Sequence, residues 1–294
     1  MKKVFAVLVC LAIGLFAASA AMAYTAGTGI VGSPHDLSAS GPMGAQSPDT
    51  LNRVCIFCHA PHNTYRLDAS ISGSATATGG TGPIAPAAYD YLPLWNHLLP
   101  IPPTYSMYYN GPGAPDPTIS AKGSQAILLN SGRTAPGGAS LLCLSCHDGI
   151  TAINTYGNSD QPGSSTNVGS TTMPLGYKIG VDGNLQNHHP IAFAFTAAMG
   201  GLDPGITDPA QALYNGTTDF VVNHLYSYTV GGTSYTSQME CGTCHSVHNT
   251  ANSGERLLWR SDANSNLCLT CHIKGPKPTP GTVNGEVSTR TDGV

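Results

Sequence analysis

Charge is scarce in this chain. Asp, Glu, Lys and Arg make up 10% of its 294 residues, with sixteen acids against twelve bases. Cations this few and this scattered exclude a basic face for nucleic acid and count against a cationic pocket for oxyanion substrates. Aromatic side chains make up 7% of the chain, with two Trp and six Phe. After residue 23 no apolar run approaches the ~18 residues that cross a bilayer; the longest, "IAFAFTAAM" at 191–199, is far shorter. Gly and Pro together number 57, well above ordinary usage. Such a composition by itself describes a loop-rich chain with little to bury.

What is present begins with a leader. Lys2 and Lys3 precede an apolar stretch to about Ala20, and Ala21-Met22-Ala23 fits a small-x-small cleavage pattern. Residues 1–23 read as a secretory signal peptide cut before Tyr24, with Cys10 discarded along with it. The remaining 24–294 would carry ten basic and sixteen acidic side chains, a formal charge of −6. An exported protein is expected, extracellular or at the cell surface, with the periplasm as the alternative.

The other eight cysteines all fall in four C-x-x-C-H motifs: "CIFCH" at 55, "CLSCH" at 143, "CGTCH" at 241 and "CLTCH" at 268. Disulfide frameworks belong in exported chains, but they do not put a histidine after every second cysteine. Structural zinc uses C-x-x-C pairs yet needs no histidine at the fifth position. The pattern is that of covalent heme c attachment, in which two thiols become thioethers and the adjacent histidine reaches the iron. The expectation is four covalently bound hemes, with Cys55, Cys58, Cys143, Cys146, Cys241, Cys244, Cys268 and Cys271 as attachment points and His59, His147, His245 and His272 as proximal ligands. Four apolar porphyrins would also supply the missing core, so the heme-free chain is not expected to fold.

The motifs are spaced unevenly, by 88, 98 and 27 residues, and two of them extend to C-x-x-C-H-x-x-H-N. A helix is expected to carry the first motif, started by Ser47 and Pro48. A turn or two is expected from Asp208-Pro209 to Gly216, and a β-hairpin around Gly231-Gly232. Segments 68–92, 100–140 and 155–185 read as coil, and the tail from 275 as a disordered end or a docking arm. The expected fold is thus mostly irregular, with a few short α-helices and a minor β-hairpin, one domain over 24–294 built around four stacked hemes.

Seven histidines compete for four distal positions: His35, His62, His97, His188, His189, His224 and His248. Residues i and i+3 project to one side, ~5–6 Å apart, whereas axial ligands occupy opposite faces of a porphyrin. His62 therefore cannot complete the iron of His59, nor His248 that of His245; each must serve another heme. In "NHHPIAF", Pro190 stiffens the backbone and an apolar run follows, which favours His189 over His188. His35 is a further expected ligand. His97 is open between a ligand and a hydrogen bond to a propionate, and His224, in a strand-like alternation, is expected not to ligate. Met107, Met173, Met199 and Met239 are alternatives that would raise the potential, but histidine is in surplus. Bis-histidine ligation throughout is the simpler account and leaves no open iron for a substrate.

The signatures "HDLS…VCIFCHAPHN", "PLWNH", "LLCLSCHDG", "NHHPIAF" and "ECGTCHSVHN…LCLTCH" resemble the doubled-C-x-x-C-H multiheme cytochromes of metal-reducing bacteria, and among them the tetraheme outer-surface cytochromes of the Geobacter OmcE type. The resemblance covers the heme-binding islands across residues 30 to 275. It implies a secreted, bis-histidine-ligated, loop-rich protein that polymerises into filaments with a continuous heme chain. It further implies that a distal histidine can come from the neighbouring subunit, and His62 is the candidate for that role here.

Three functions compete. An electron conduit, polymeric or discrete, needs only closely placed hemes and passes electrons to other cytochromes or terminal acceptors. A periplasmic shuttle or a cytochrome subunit of a membrane redox complex is the alternative, although lysine-rich compact shuttles differ from this chain with its uncharged Ser, Thr and Gly loops. A multiheme reductase needs one open iron and a cationic pocket, against which the histidine surplus and the scarcity of Lys and Arg both argue. The chain is therefore not expected to be an enzyme.

Overall fold

The structure, a computed structural model, describes residues 29–42, 49, 51–61, 94–97, 105–108, 135–156, 171–202, 205–215, 217–230, 233–248 and 257–273. The leader, Ser47, Pro48, His62, Gly216, Gly231-Gly232 and the tail from 275 lie outside these residues. Helices are few and short: α1 (Gly138–His147), α2 (Ala197–Leu202), α3 (Cys241–Cys244) and α4 (Asn266–Cys271). The strands are β1 (Phe193–Ala194), β2 (Leu213–Asn215), β3 (Asp219–Phe220), β4 (Tyr226–Val230) and β5 (Thr233–Met239). Most of the rest is turn and coil.

The sheets are small and antiparallel. One has the order β1-β5-β4, with Phe193 opposite Met239 and Tyr228 opposite Tyr235; the other pairs β2 with β3. The expected hairpin is β4–β5. Its strands alternate Tyr, Thr and Val, which suit a half-buried pleat, and the Tyr228 and Tyr235 rings lie 5.7 Å apart across it, a stabilising cross-strand pair.

The core gathers Leu141, Leu142 and Leu144 of α1 with Phe193, Phe195, Met199, Tyr214, Val221 and Met239 from the sheet region, and with Trp95, Tyr105 and Met107. Three of the methionines considered as ligands, Met107, Met199 and Met239, are thus core side chains. Glu240, at 1% exposure, joins α1 to the third motif. Its carboxylate accepts hydrogen bonds from Ser140 Oγ (2.5 Å), Tyr228 Oη (2.7 Å) and Gly137 N (3.1 Å). Gly137 is the N-cap of α1 and has no side chain to cap with. A Cβ there would collide with the Glu240 carboxylate and the Tyr228 hydroxyl, so glycine is what lets the carboxylate of Glu240 cap the helix in its place.

Three expectations need correction. The first motif is carried by a single turn, with Cys58 N and His59 N both bonded to Cys55 O, because Asn52 takes a left-handed φ of 57° just before it. Helix α1 starts inside the 100–140 segment read as coil, since the apolar "LLCL" that drives it lies just past that segment's end. His224 ends a 3-10 turn over Val221–His224 and is not in a strand. The Asp208 turn is one turn long, with Gln211 N and Ala212 N bonded to Asp208 O before the chain extends into β2.

Candidate heme-binding site

Each motif makes a helical turn across its two cysteines, and in all but the second the histidine leaves that turn. His147 is the last residue of α1. His245 and His272 are C-cap residues with extended backbone, at φ −104° and −95°. Three of the four are then clamped in the same way. His59 bridges to Trp95, His245 to Leu258 and His272 to Ile206. At the first motif Asn96 N donates to Cys58 O and Ala60 N to Leu94 O; at the third, Trp259 N donates to Cys244 O and Ser246 N to Leu257 O; at the fourth, Thr207 N donates to Cys271 O and Ile273 N to Gly205 O. The two bonds flank the histidine and fix its direction. The second motif uses another anchor: Ile179 N donates to His147 O, and His147 Nδ1 donates to Tyr177 O at 2.9 Å.

Against these proximal rings the structure sets three more. His248 lies with its ring centroid 6.1 Å from that of His59, His35 lies 6.2 Å from His147, and His189 lies 6.2 Å from His272. These distances are too long for direct stacking. They fit rings facing each other across a metal ion: two metal–imidazole bonds of about 2.0 Å, plus about 1.1 Å from each nitrogen to its ring centre, sum to about 6.2 Å. Tautomers agree with this. Nδ1 of His35 donates to Val247 O (3.4 Å) and Nδ1 of His189 to Pro190 O (2.9 Å), as Nδ1 of His147 does to Tyr177, so Nε2 is the nitrogen that could ligate a metal. Burial, and next the neighbouring His147, hold the His35 pKa down to about 4. It is therefore the neutral imidazole that a metal requires.

The cysteines of successive motifs adjoin. Burial, and next the Cys58 thiol, push Cys146 up. Cys143 and Cys241 share a hydrogen bond that raises the first and lowers the second. Burial, and next Cys244, push Cys271 up. The first motif thus adjoins the second, the second the third, and the third the fourth. Exposed apolar side chains lie close in sequence to these histidines and their anchors. Val31 (74% exposed) lies four residues before His35, Leu94 (55%) next to Trp95, Ile150 (66%) three residues after His147, and Leu175 (82%) beside Tyr177. Apolar surface of this extent needs a cover, and a porphyrin held between paired imidazoles supplies one. The donor set fits heme c.

The other described histidines are engaged by protein groups. His97, a possible ligand from sequence, is fully buried; its Nε2 donates to Ala152 O at 3.1 Å and lies 3.3 Å from Cys146 Sγ. His188 Nε2 accepts a hydrogen bond from Gly180 N at 3.3 Å. His224 meets Asp219 Oδ1 at 2.5 Å and packs on Trp259 with ring centroids 4.1 Å apart. The clamp residues Trp95, Leu258 and Ile206 escape the sequence reading, because backbone pairing leaves no side-chain signature.

A family model, the doubled CXXCH motif, matches residues 235–277. Those residues hold the third and fourth motifs. The match supports a multiheme c-type cytochrome with covalently bound heme c. No curated protein matches the chain. Among the described residues no helix is long and apolar enough to cross a membrane.

Proposed function

We propose that the chain is a tetraheme electron-transfer protein, bis-histidine ligated at every iron, that acts outside the cytoplasm as a conduit and not as an enzyme. The observation that carries this reading is the triple of histidine pairs at 6.1–6.2 Å. In this reading His248 completes the first motif's iron, His35 the second's and His189 the fourth's. His62 is then the candidate for the iron of His245. Heme c supplies a one-electron ferric/ferrous couple. The chain's own residues fix the ligand rings and hold their Nδ1 protons on backbone carbonyls, and each of these bears on the potential. Because successive motifs adjoin, the stacked hemes would follow sequence order, and electrons would pass from one end of the chain to the other.

The finer proposal is a homopolymer. His62 from one copy would ligate the iron of His245 in the next, giving an extracellular filament that hands electrons to other cytochromes or to terminal acceptors. The test has two parts. A pyridine hemochrome assay should give four hemes per chain, with low-spin bands and no carbon monoxide binding by the reduced native protein. Negative-stain microscopy of culture supernatant should show filaments whose repeat contains this chain. Carbon monoxide binding would favour a reductase. A monodisperse tetraheme monomer with His62 bound internally would favour a periplasmic shuttle or a subunit of a membrane redox complex.

A further inference from the structure

Arg260 is a guanidinium at only 7% exposure, and it sits between the two closely spaced motifs. Its Nη1 donates to Leu213 O of β2 and to Thr270 Oγ1, each at 3.2 Å. Thr270 lies between Cys268 and Cys271 in α4, and its hydroxyl donates on to Asn266 O at 3.0 Å. On the other side, Arg260 follows Trp259, whose N–H holds Cys244 O in the third motif's clamp. The side chain is thus bonded directly to the turn that carries the fourth motif and tethered through its backbone to the third. A guanidinium does not give up its proton when buried, so the positive charge is permanent.

We propose that Arg260 is the residue that sets the potential of the heme held by Cys268, Cys271 and His272, raising it above the value its histidine ligands alone would give. The inference rests on the reading of that segment as heme-holding. A ferric iron carries one more positive charge than a ferrous one, so a fixed cation beside it favours the reduced form. A unit charge at about 10 Å in an effective dielectric of about 20 is worth roughly tenfold in the reduction equilibrium. In a chain whose hemes follow sequence order, this makes the fourth heme a sink and biases electrons toward the C-terminal motif.

The test is a spectroelectrochemical titration of the intact holoprotein and three variants. Arg260→Gln keeps N–H donors for Leu213 O and Thr270 Oγ1 but removes the charge. One of the one-electron midpoints should move negative by about 59 mV, a tenfold change for a one-electron couple, with the low-spin spectrum and heme content unchanged. Arg260→Lys, which keeps the charge, should restore that midpoint to near its native value. Thr270→Val, which breaks one hydrogen bond and keeps the cation, should leave it in place and provides a reading if Arg260→Gln fails to take up heme. Unmoved midpoints in Arg260→Gln overturn the inference. So does Arg260→Lys or Thr270→Val moving a midpoint as far as Arg260→Gln does, since that would make Arg260 a packing residue. Wild-type protein without heme would defeat the underlying reading instead, and the hemochrome assay separates that case.

Discussion

His248 sits in the C-x-x-C-H-x-x-H unit of the third motif, yet its ring faces that of His59, the histidine of the first motif, at 6.1 Å. Replacing it by alanine therefore separates two accounts of the doubled motif. The thiols Cys241 and Cys244 and the histidine His245 are untouched, so the third heme should stay attached and the heme count should remain four. The iron that loses its sixth ligand is the first motif's. One iron in four, a quarter of the total, should turn high-spin, and the reduced protein should bind one equivalent of carbon monoxide per chain where the native protein binds none. Electron paramagnetic resonance and a carbon monoxide titration read both numbers. Assignment to a particular iron comes from repeating the substitution in a chain with Cys55→Ala and Cys58→Ala, where the first heme is no longer attached. There the new high-spin signal should vanish. If His248→Ala leaves every heme low-spin, or if the signal survives without the first heme, then His248 does not serve the iron of His59, and the diaxial interpretation of the 6.1 Å spacing fails with it.

Other outcomes follow from the same geometry. His189→Ala should open one iron to carbon monoxide, whereas His188→Ala should not, because His188 Nε2 is spent on Gly180 N; matching behaviour of the two variants would contradict this. Glu240→Ala removes an acceptor that serves Ser140, Tyr228 and Gly137 within a site of 1% exposure. A buried charged hydrogen bond is worth about 1.5–3 kcal/mol and its orphaned donors cost more, so a loss of roughly 3–5 kcal/mol is expected in urea unfolding of the holoprotein. Glu240→Gln, which keeps an acceptor oxygen, should lose less; a change below about 1 kcal/mol in the alanine variant would show that Glu240 does not hold α1 to the third motif.

Covalent attachment was the legible part of this chain. Two thiols and a histidine must be adjacent in sequence to act on one porphyrin, so C-x-x-C-H writes the chemistry directly. The rough class of fold was legible too, because glycine, proline and sparse apolar residues cannot build long elements. Distal partners were legible only as a constraint. The i+3 spacing barred His248 from the iron of His245 but could not say that His59 lies across from it, since that meeting joins residues 189 positions apart. His97 shows the opposite difficulty. Its neighbour Trp95 is plain in "PLWNH", but the hydrogen bond to Ala152 O that engages its Nε2 joins residues 55 positions apart and so has no local signature.

The clamps explain why the motif alone does not orient its histidine. The first, third and fourth motifs share one pattern of two backbone bonds around an extended histidine, but the partner segments are "LWN", "LLW" and "GIT", with no residue common to all three at any position. Carbonyls and amides do the holding, so side chains are free to vary. Leu94 and Leu257 even take left-handed φ values of 54° and 57° at equivalent places, a conformation that costs a residue with a Cβ about 1–2 kcal/mol. Strain repeated at the same point of two segments far apart in the chain means that surrounding structure requires the bend there. The bend lets the clamp strand turn onto the histidine's backbone, and it is the strand that points the imidazole. The partner segment comes from 36 residues downstream for His59, 13 downstream for His245 and 66 upstream for His272. Orientation of each proximal ring therefore depends on tertiary pairing as much as each distal ring does, and neither face of a heme is prepared until distant parts of the chain have met.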